Sequence, residues 1–139
     1  LQDTENCKVV FIGGPNENDT VWAVKNLMKT TSANLTGLTA VSDLPAVMQR
    51  LAVLITNDSW PMHIAAAVGT PVVALFGPTS ELCTGPYGSG HSVLTSYVEC
   101  RPCFRRKCHN SKTHECLTSI SVKDVMVATK RILYAEGLT

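Results

Sequence analysis

Residues Leu51 to Ser80 read LAVLITNDSWPMHIAAAVGTPVVALFGPTS. Leu51 to Thr56 is a nearly continuous apolar run, the pattern of a strand buried on both faces. The polar cluster Asn57-Asp58-Ser59 follows, with Ser59 placed to cap a short helix from Pro61 to Val68. Pro61 suits an early helical position because its missing N–H has no helical partner there. Gly69 marks the C-terminal exit, Pro71 to Phe76 forms a second apolar strand, and Gly77-Pro78-Thr79 makes another turn. Strand, helix and strand in this order predict parallel strands joined by a crossover.

The same alternation extends outward. Lys8 to Ile12 (KVVFI) reads as a doubly buried strand ended by Gly13-Gly14-Pro15. Asn18 or Asp19 caps a helix to about Lys29, with Val21, Val24, Leu27 and Met28 on one stripe. A weak strand is expected near Asn34-Leu35. Ser42 or Asp43 opens a helix from Leu44 to about Arg50, with Pro45 in its first turn. Further on come a strand at His91 to Leu94 and an amphipathic helix from Val122 to Ala135. In that last helix Val122, Val125, Met126, Thr129, Ile132 and Leu133 share a stripe. The expected fold is α/β, a Rossmann-like parallel sheet with helices on both faces. Ligands of such sheets sit at the carboxyl ends of the strands, where Gly13 to Glu17, Asn57 to His63 and Gly77 to Thr79 all fall.

Composition narrows the function classes. The 139 residues fit one domain, residues 1–139, and 45% apolar content supplies a core. A net charge of +1 gives no electrostatic case for nucleic acid. No apolar run reaches the roughly 20 residues needed to cross a bilayer. The start, LQDTENCKVVF, lacks the pattern of a signal peptide and reads as a linker entering a strand.

The polar mouth of the Pro61–Val68 helix is the chemically informative place. Free N–H groups and the positive end of a helix dipole suit a phosphate. His63 lies about one turn in, where its ring can donate to the same anion. Asp58 cannot attract phosphate by charge, so it is expected to accept from sugar hydroxyls or backbone N–H groups. Taken singly, Asp58 and Ser59 also read as simple caps and His63 as an ordinary polar residue. Ala65-Ala66-Ala67 lets the helix lie close to the sheet; packing explains the alanines but not the polar mouth.

With these residues in view, NDSWPMHIAAAVGTPVVALFGPTS resembles the donor-binding half of the ADP-heptose:lipopolysaccharide heptosyltransferases, glycosyltransferase family 9. Their motif has the form D-[ST]-G-x-x-H-x-A-A-A-x-G-x-P-x-[VI]-x-[LI]-F-G-P-T. The resemblance extends to the Gly13-Gly14-Pro15-Asn16-Glu17 turn, to Leu35-Thr36-Gly37, and to a C-x-P-C…C…C run like that of heptosyltransferase II-like members. It implies a GT-B enzyme of two Rossmann-like halves, of which this chain matches the C-terminal, nucleotide-sugar-binding one. The N-terminal acceptor half is absent from it.

By that resemblance Asp58, Ser59 and the backbone at Trp60 face the diphosphate and heptose, and His63 lies beside the diphosphate. Glu17 takes the ribose position, Leu38-Thr39 lines the adenine pocket, and Gly77, Pro78 and Thr79 border the cleft. Trp60 departs from the pattern, because the family carries glycine there. Its indole either stacks on a ligand, crowds the pocket, or packs against the neighbouring loop.

The family transfers sugar with inversion, which requires a general base for the acceptor hydroxyl and stabilisation of the leaving diphosphate. The resemblance places the base, an aspartate, in the N-terminal half and a phosphate-contacting lysine just upstream. No catalytic residue is therefore assigned here, and the isolated fragment is expected to be inactive. No cofactor is required for the chemistry. The implied partners are ADP-heptose and a lipid-linked saccharide acceptor, with no nucleic acid and no transmembrane segment. The implied location is cytoplasmic, peripheral to the inner membrane in the full-length enzyme.

Cys100, Cys103, Cys108 and Cys116 crowd the segment 98–116, while Cys7 and Cys83 stand apart. Four thiolates so close can form a tetrahedral site for structural zinc or iron, with Arg101, Arg105, Arg106 and Lys107 offsetting the charge. His109 and His114 are substitute ligands. Reduced thiols packing a loop, or local disulfides, are the alternatives; each staples the loop. Two other function classes stay open on residues alone. One is a non-catalytic nucleotide- or phosphate-binding α/β module with a metal-stapled four-cysteine loop. The other is a metal-binding or redox domain on a Rossmann-like scaffold.

Overall fold

The computed structural model describes residues 7 to 135. Two compact units, divided in sequence between Leu44 and Pro45, make up the chain. The linker expected at the first few residues falls outside the described ones.

In the first unit, β1 (Val10–Phe11) pairs in parallel with β2 (Ala33–Asn34). Bonds from Leu35 N–H to the Phe11 carbonyl (2.8 Å) and from Gly37 N–H to the Gly13 carbonyl (2.9 Å) continue the ladder into the turns. Val10 and Phe11 are half-buried rather than buried on both faces, because a two-stranded sheet covers its strands incompletely. A single 3-10 turn, Pro15–Glu17, leads into α1 (Asn18–Leu27). Asn18 does not cap this helix; its Oδ1 accepts from Asn34 Nδ2 at 3.1 Å and ties the helix to β2. Of the expected stripe Val21 is buried, while Val24 and Leu27 face solvent. Gly37 has φ +73°, and a Cβ there would lie 3.1 Å from the Pro15 Cα, so the turn requires glycine. Another 3-10 turn, Val41–Asp43, precedes α2 (Leu44–Met48), which stops short of Arg50.

The second unit holds a three-stranded parallel sheet in the order β3 (Leu54–Asn57), β4 (Val72–Phe76), β5 (Ser92–Thr95). Among the described residues all strand pairs are thus parallel, as the alternation predicts, but they form two sheets. Burial accounts for the apolar run of central β4: Val72, Val73, Ala74 and Phe76 are fully buried. Edge strand β3 alternates between half-buried and exposed positions, so LAVLIT is not doubly buried, and Leu51 to Val53 lead into the strand. Helix α3 (Trp60–Ala67) packs on β3 and β4.

Two short helices, α4 (Glu81–Thr84) and α5 (Glu115–Thr118), escape sequence reading because one turn shows no period. The last helix, α6 (Val122–Ala135), packs on β4 and β5. Val73, Ala128 and Ile132 form a core cluster with Val53, Leu75, Leu94 and Val125 against it. Val73 and Leu75 therefore face α6, and by strand alternation Val72, Ala74 and Phe76 point to the opposite face. There the fully buried Met62 and Ala65 of α3 supply the cover. Val122, expected on the α6 stripe, is 80% exposed, whereas Ala128 belongs to the buried face. Gly69 leaves α3 at φ +82°. The Thr70 hydroxyl then donates to the Met48 carbonyl at 2.7 Å, fixing the chain before β4. Among the described residues no helix is long and apolar enough to cross a membrane.

Candidate functional site

Parallel register puts Asn57 opposite Leu75, so the turns after β3 and β4 leave the same sheet edge. The Asp58 N–H still donates to the Leu75 carbonyl, at 3.2 Å. Ser59 takes the N-cap backbone conformation of α3 (φ −152°, ψ 159°), but its side chain makes no cap bond. Its hydroxyl lies 3.2 Å from Thr56 Oγ1 and donates weakly to the Asn57 carbonyl at 3.3 Å. The helix start therefore keeps a polar mouth that the cap does not consume. Trp60, the first helical residue, is 51% exposed. His63 is exposed one turn further on.

The second turn is joined to the first through α4. Thr84 Oγ1 donates to Asp58 Oδ2 at 3.1 Å. Arg101, with a side chain only 11% exposed, reaches the turn from the Cys-rich segment. Its Nε donates to the Gly77 carbonyl at 2.8 Å, and one Nη2 serves both the Thr79 carbonyl (3.3 Å) and Glu81 Oε2 (2.6 Å). Cys103 and Phe104 N–H groups both donate to the Pro78 carbonyl, at 2.9 and 2.8 Å. The backbone N–H of Glu81 and then the Arg101 guanidinium hold the Glu81 carboxyl below its ordinary value, and partial burial opposes them. Thr79 Oγ1 is buried with no hydrogen-bond partner among the described residues.

The second unit thus brings together Asp58, Ser59, Trp60, His63, Gly77 and Thr79. Glu17 and Thr39 belong to the first unit. There the Glu17 carboxylate folds back to accept from the Gly14 N–H at 2.7 Å, and Thr39 is half-buried beyond the Gly37 turn. Arg101, Glu81 and Thr84 are the residues that sequence reading missed as parts of this edge. The arginine between the first two clustered cysteines is the one visible signal, and it reads as a counter-charge for thiolates.

A model of the family described as Glycosyltransferase family 9 (heptosyltransferase) matches residues 1–114. The chain belongs to glycosyltransferase family 9. It is 27% identical over 129 residues to Lipooligosaccharide heptosyltransferase 2 of Campylobacter jejuni, covering 90% of this chain and 40% of that protein. Lipopolysaccharide core heptosyltransferase OpsX of Haemophilus influenzae is 32% identical over 96 residues, 68% of this chain and 28% of its own length. The crystal structure of a family 9 glycosyl transferase from Veillonella parvula superposes with a TM-score of 0.79 at 34% identity, over 94% of this chain and 37% of that one. E. coli ADP-heptose lps heptosyltransferase II gives a TM-score of 0.78 at 25% identity with the same coverage. This family 9 chain therefore spans about two fifths or less of the length of these relatives.

The Cys-rich segment of this family 9 chain wraps a cavity of about 900 Å³, with Cys100, Cys103, Cys108 and Cys116 all in its wall beside Pro78. All four are free thiols. Among the described residues no group of three or more His, Cys, Asp or Glu side chains is arranged to hold a metal ion. Two of the sulfurs are engaged locally: Cys108 Sγ accepts from the His114 N–H at 3.2 Å and Cys100 Sγ from Asn110 Nδ2 at 3.8 Å. Burial, then the neighbouring Cys100, Cys103 and Cys108, push the Cys116 thiol up. The Ser96 hydroxyl donates to the Cys116 carbonyl at 2.7 Å, joining the two ends of the excursion.

Proposed function

We propose that this chain supplies the donor-binding part of an inverting glycosyltransferase that moves heptose from ADP-heptose to the inner core of lipopolysaccharide. The observation that carries the reading is the two-turn sheet edge of Asp58 to His63 and Gly77 to Thr79 in a family 9 chain. The similar E. coli structure, named for ADP-heptose, supports the donor.

Each residue has a physical task in this reading. The positive end of α3 and the exposed His63 ring donate to the diphosphate and stabilise it as it leaves. Asp58 gives Oδ2 to Thr84, and Oδ1 accepts from a sugar hydroxyl. The Ser59 hydroxyl, not used as a cap, bonds a phosphate oxygen or the sugar, and the half-exposed Trp60 indole stacks against the donor. Glu17 and Thr39 keep their ribose and adenine roles on the family pattern alone. The base that activates the acceptor lies outside these residues, and the reaction runs at the cytoplasmic side of the inner membrane.

Calorimetric titration of the full-length protein with ADP, ADP-heptose and UDP tests the proposal. The adenine ligands are expected to bind more tightly than UDP, and His63→Ala to weaken ADP by about tenfold. Equal affinity for ADP and UDP, or an unchanged ADP affinity in His63→Ala, would sink it.

A further inference from the structure

Every carbonyl of the Gly77-Pro78-Thr79 turn is taken by the Cys-rich segment. Arg101 bonds Gly77 and Thr79, while the Cys103 and Phe104 N–H groups converge on Pro78. Helix α5, which follows directly on that segment, presses on the turn as well: a Cβ at Gly77 would lie 2.6 Å from Leu117 Cγ. Residue 77 is therefore glycine because a side chain approaches closely, since its φ lies outside the left-handed region. Glu81 completes the arrangement by holding the Arg101 guanidinium at 2.6 Å from the first turn of α4. That helix carries Thr84, which bonds Asp58. A continuous set of contacts thus runs from the Cys-rich segment through both turns of the sheet edge.

We propose that the Cys-rich segment is a brace for the Gly77–Thr79 turn, with Arg101 as its positioning residue for nucleotide-sugar binding. Turning all three carbonyls toward residues 101 to 104 leaves the opposite side of the turn to the ligand. Arginine suits the task because its planar fork serves Gly77, Thr79 and Glu81 at once. Lysine offers a single ammonium and cannot hold three acceptors in that plane. The binding part of the proposal rests on the function proposed above; the brace itself does not.

Two measurements on the full-length protein separate these parts. The first is amide hydrogen exchange without ligand, comparing Arg101→Lys, Arg101→Ala and the unsubstituted protein. Exchange at Cys103 and Phe104, whose N–H groups bond the Pro78 carbonyl of the turn, and at Cys83 is expected to quicken by about tenfold in both variants, with buried α6 amides unchanged as a folding control. Unchanged exchange at these amides overturns the brace. Should Arg101→Ala fail to fold, Arg101→Lys and Glu81→Gln carry the same comparison. The second is steady-state heptose transfer, in which Arg101→Lys is expected to raise the donor KM by about tenfold with kcat and the acceptor KM held within about twofold. A donor KM that stays put, or an acceptor KM that rises instead, overturns the positioning role. Quickened exchange in a protein that binds no adenine nucleotide overturns the proposed function and leaves the brace standing.

Discussion

The Thr84 hydroxyl reaches back to Asp58 Oδ2 at 3.1 Å, joining the one-turn helix after β4 to the turn after β3. Thr84→Val removes this bond while keeping the shape. It is expected to cost about 1 kcal/mol of stability, read from urea unfolding. It also frees the Asp58 carboxylate, so donor affinity is expected to fall by about threefold to tenfold. An affinity unchanged from that of the unsubstituted protein would mean that Asp58 needs no positioning.

The Glu81 pair gives a pH dependence of known sign. Its carboxyl is held below the ordinary value of 4.5. The stabilisation it brings is therefore present above about 4.5, where the unfolded carboxyl is also ionised, and is lost as pH falls through the lower folded value. Glu81→Gln is expected to be less stable than the unsubstituted protein at pH 6 to 7, with the gap closing below about pH 4. The gap is small, because the Glu81 side chain is 34% exposed and solvent screens the pair. Thermal unfolding across pH checks it, and a gap that widened on acidification would contradict the pairing.

Cys116 should be the slowest of the clustered thiols to alkylate. It is buried, and its pKa is raised above the ordinary thiol value, so less thiolate exists at a given pH. Iodoacetamide at pH 8, followed by peptide mass mapping, is expected to modify the exposed Cys83 and Cys100 well before Cys116.

Phe76 is fully buried at the end of β4. Phe76→Ala is expected to destabilise the fold by about 3–5 kcal/mol, measured by denaturant unfolding. Gly77→Ala, next to it, places a methyl group in the Leu117 side chain. That side chain can yield, so the expected cost is smaller, about 1–3 kcal/mol.

What could be read from the sequence divides along physical lines. Strand β4 and helix α6 were legible because a fully buried run and a long amphipathic period are strong signals. The β3 run misled, since LAVLIT carries the composition of a central strand but sits at a sheet edge. The α1 stripe misled similarly: apolar spacing cannot say whether a partner surface exists, and Leu27 is 86% exposed. The polar mouth at Asp58 to His63 and the Gly77–Thr79 turn follow from turn residues beside strong strands. Arg101 did not follow, because it lies 24 residues from Gly77 and only tertiary folding brings them together. The cysteine spacing showed that four thiols share one segment; it could not show whether their sulfurs converge.

The Ser96–Cys116 bond has a consequence for tolerance to insertion. Because it closes the excursion on itself at 2.7 Å, the segment between these residues resembles a compact surface loop whose two stems already meet. Lengthening such a loop costs little, about 0.6 kcal/mol for each doubling. Changes of length there therefore leave the connection between β5 and α6 in place. What ties the loop to the Gly77–Thr79 turn is smaller than the cysteine pattern suggests: one guanidinium and two backbone N–H groups aimed at three carbonyls.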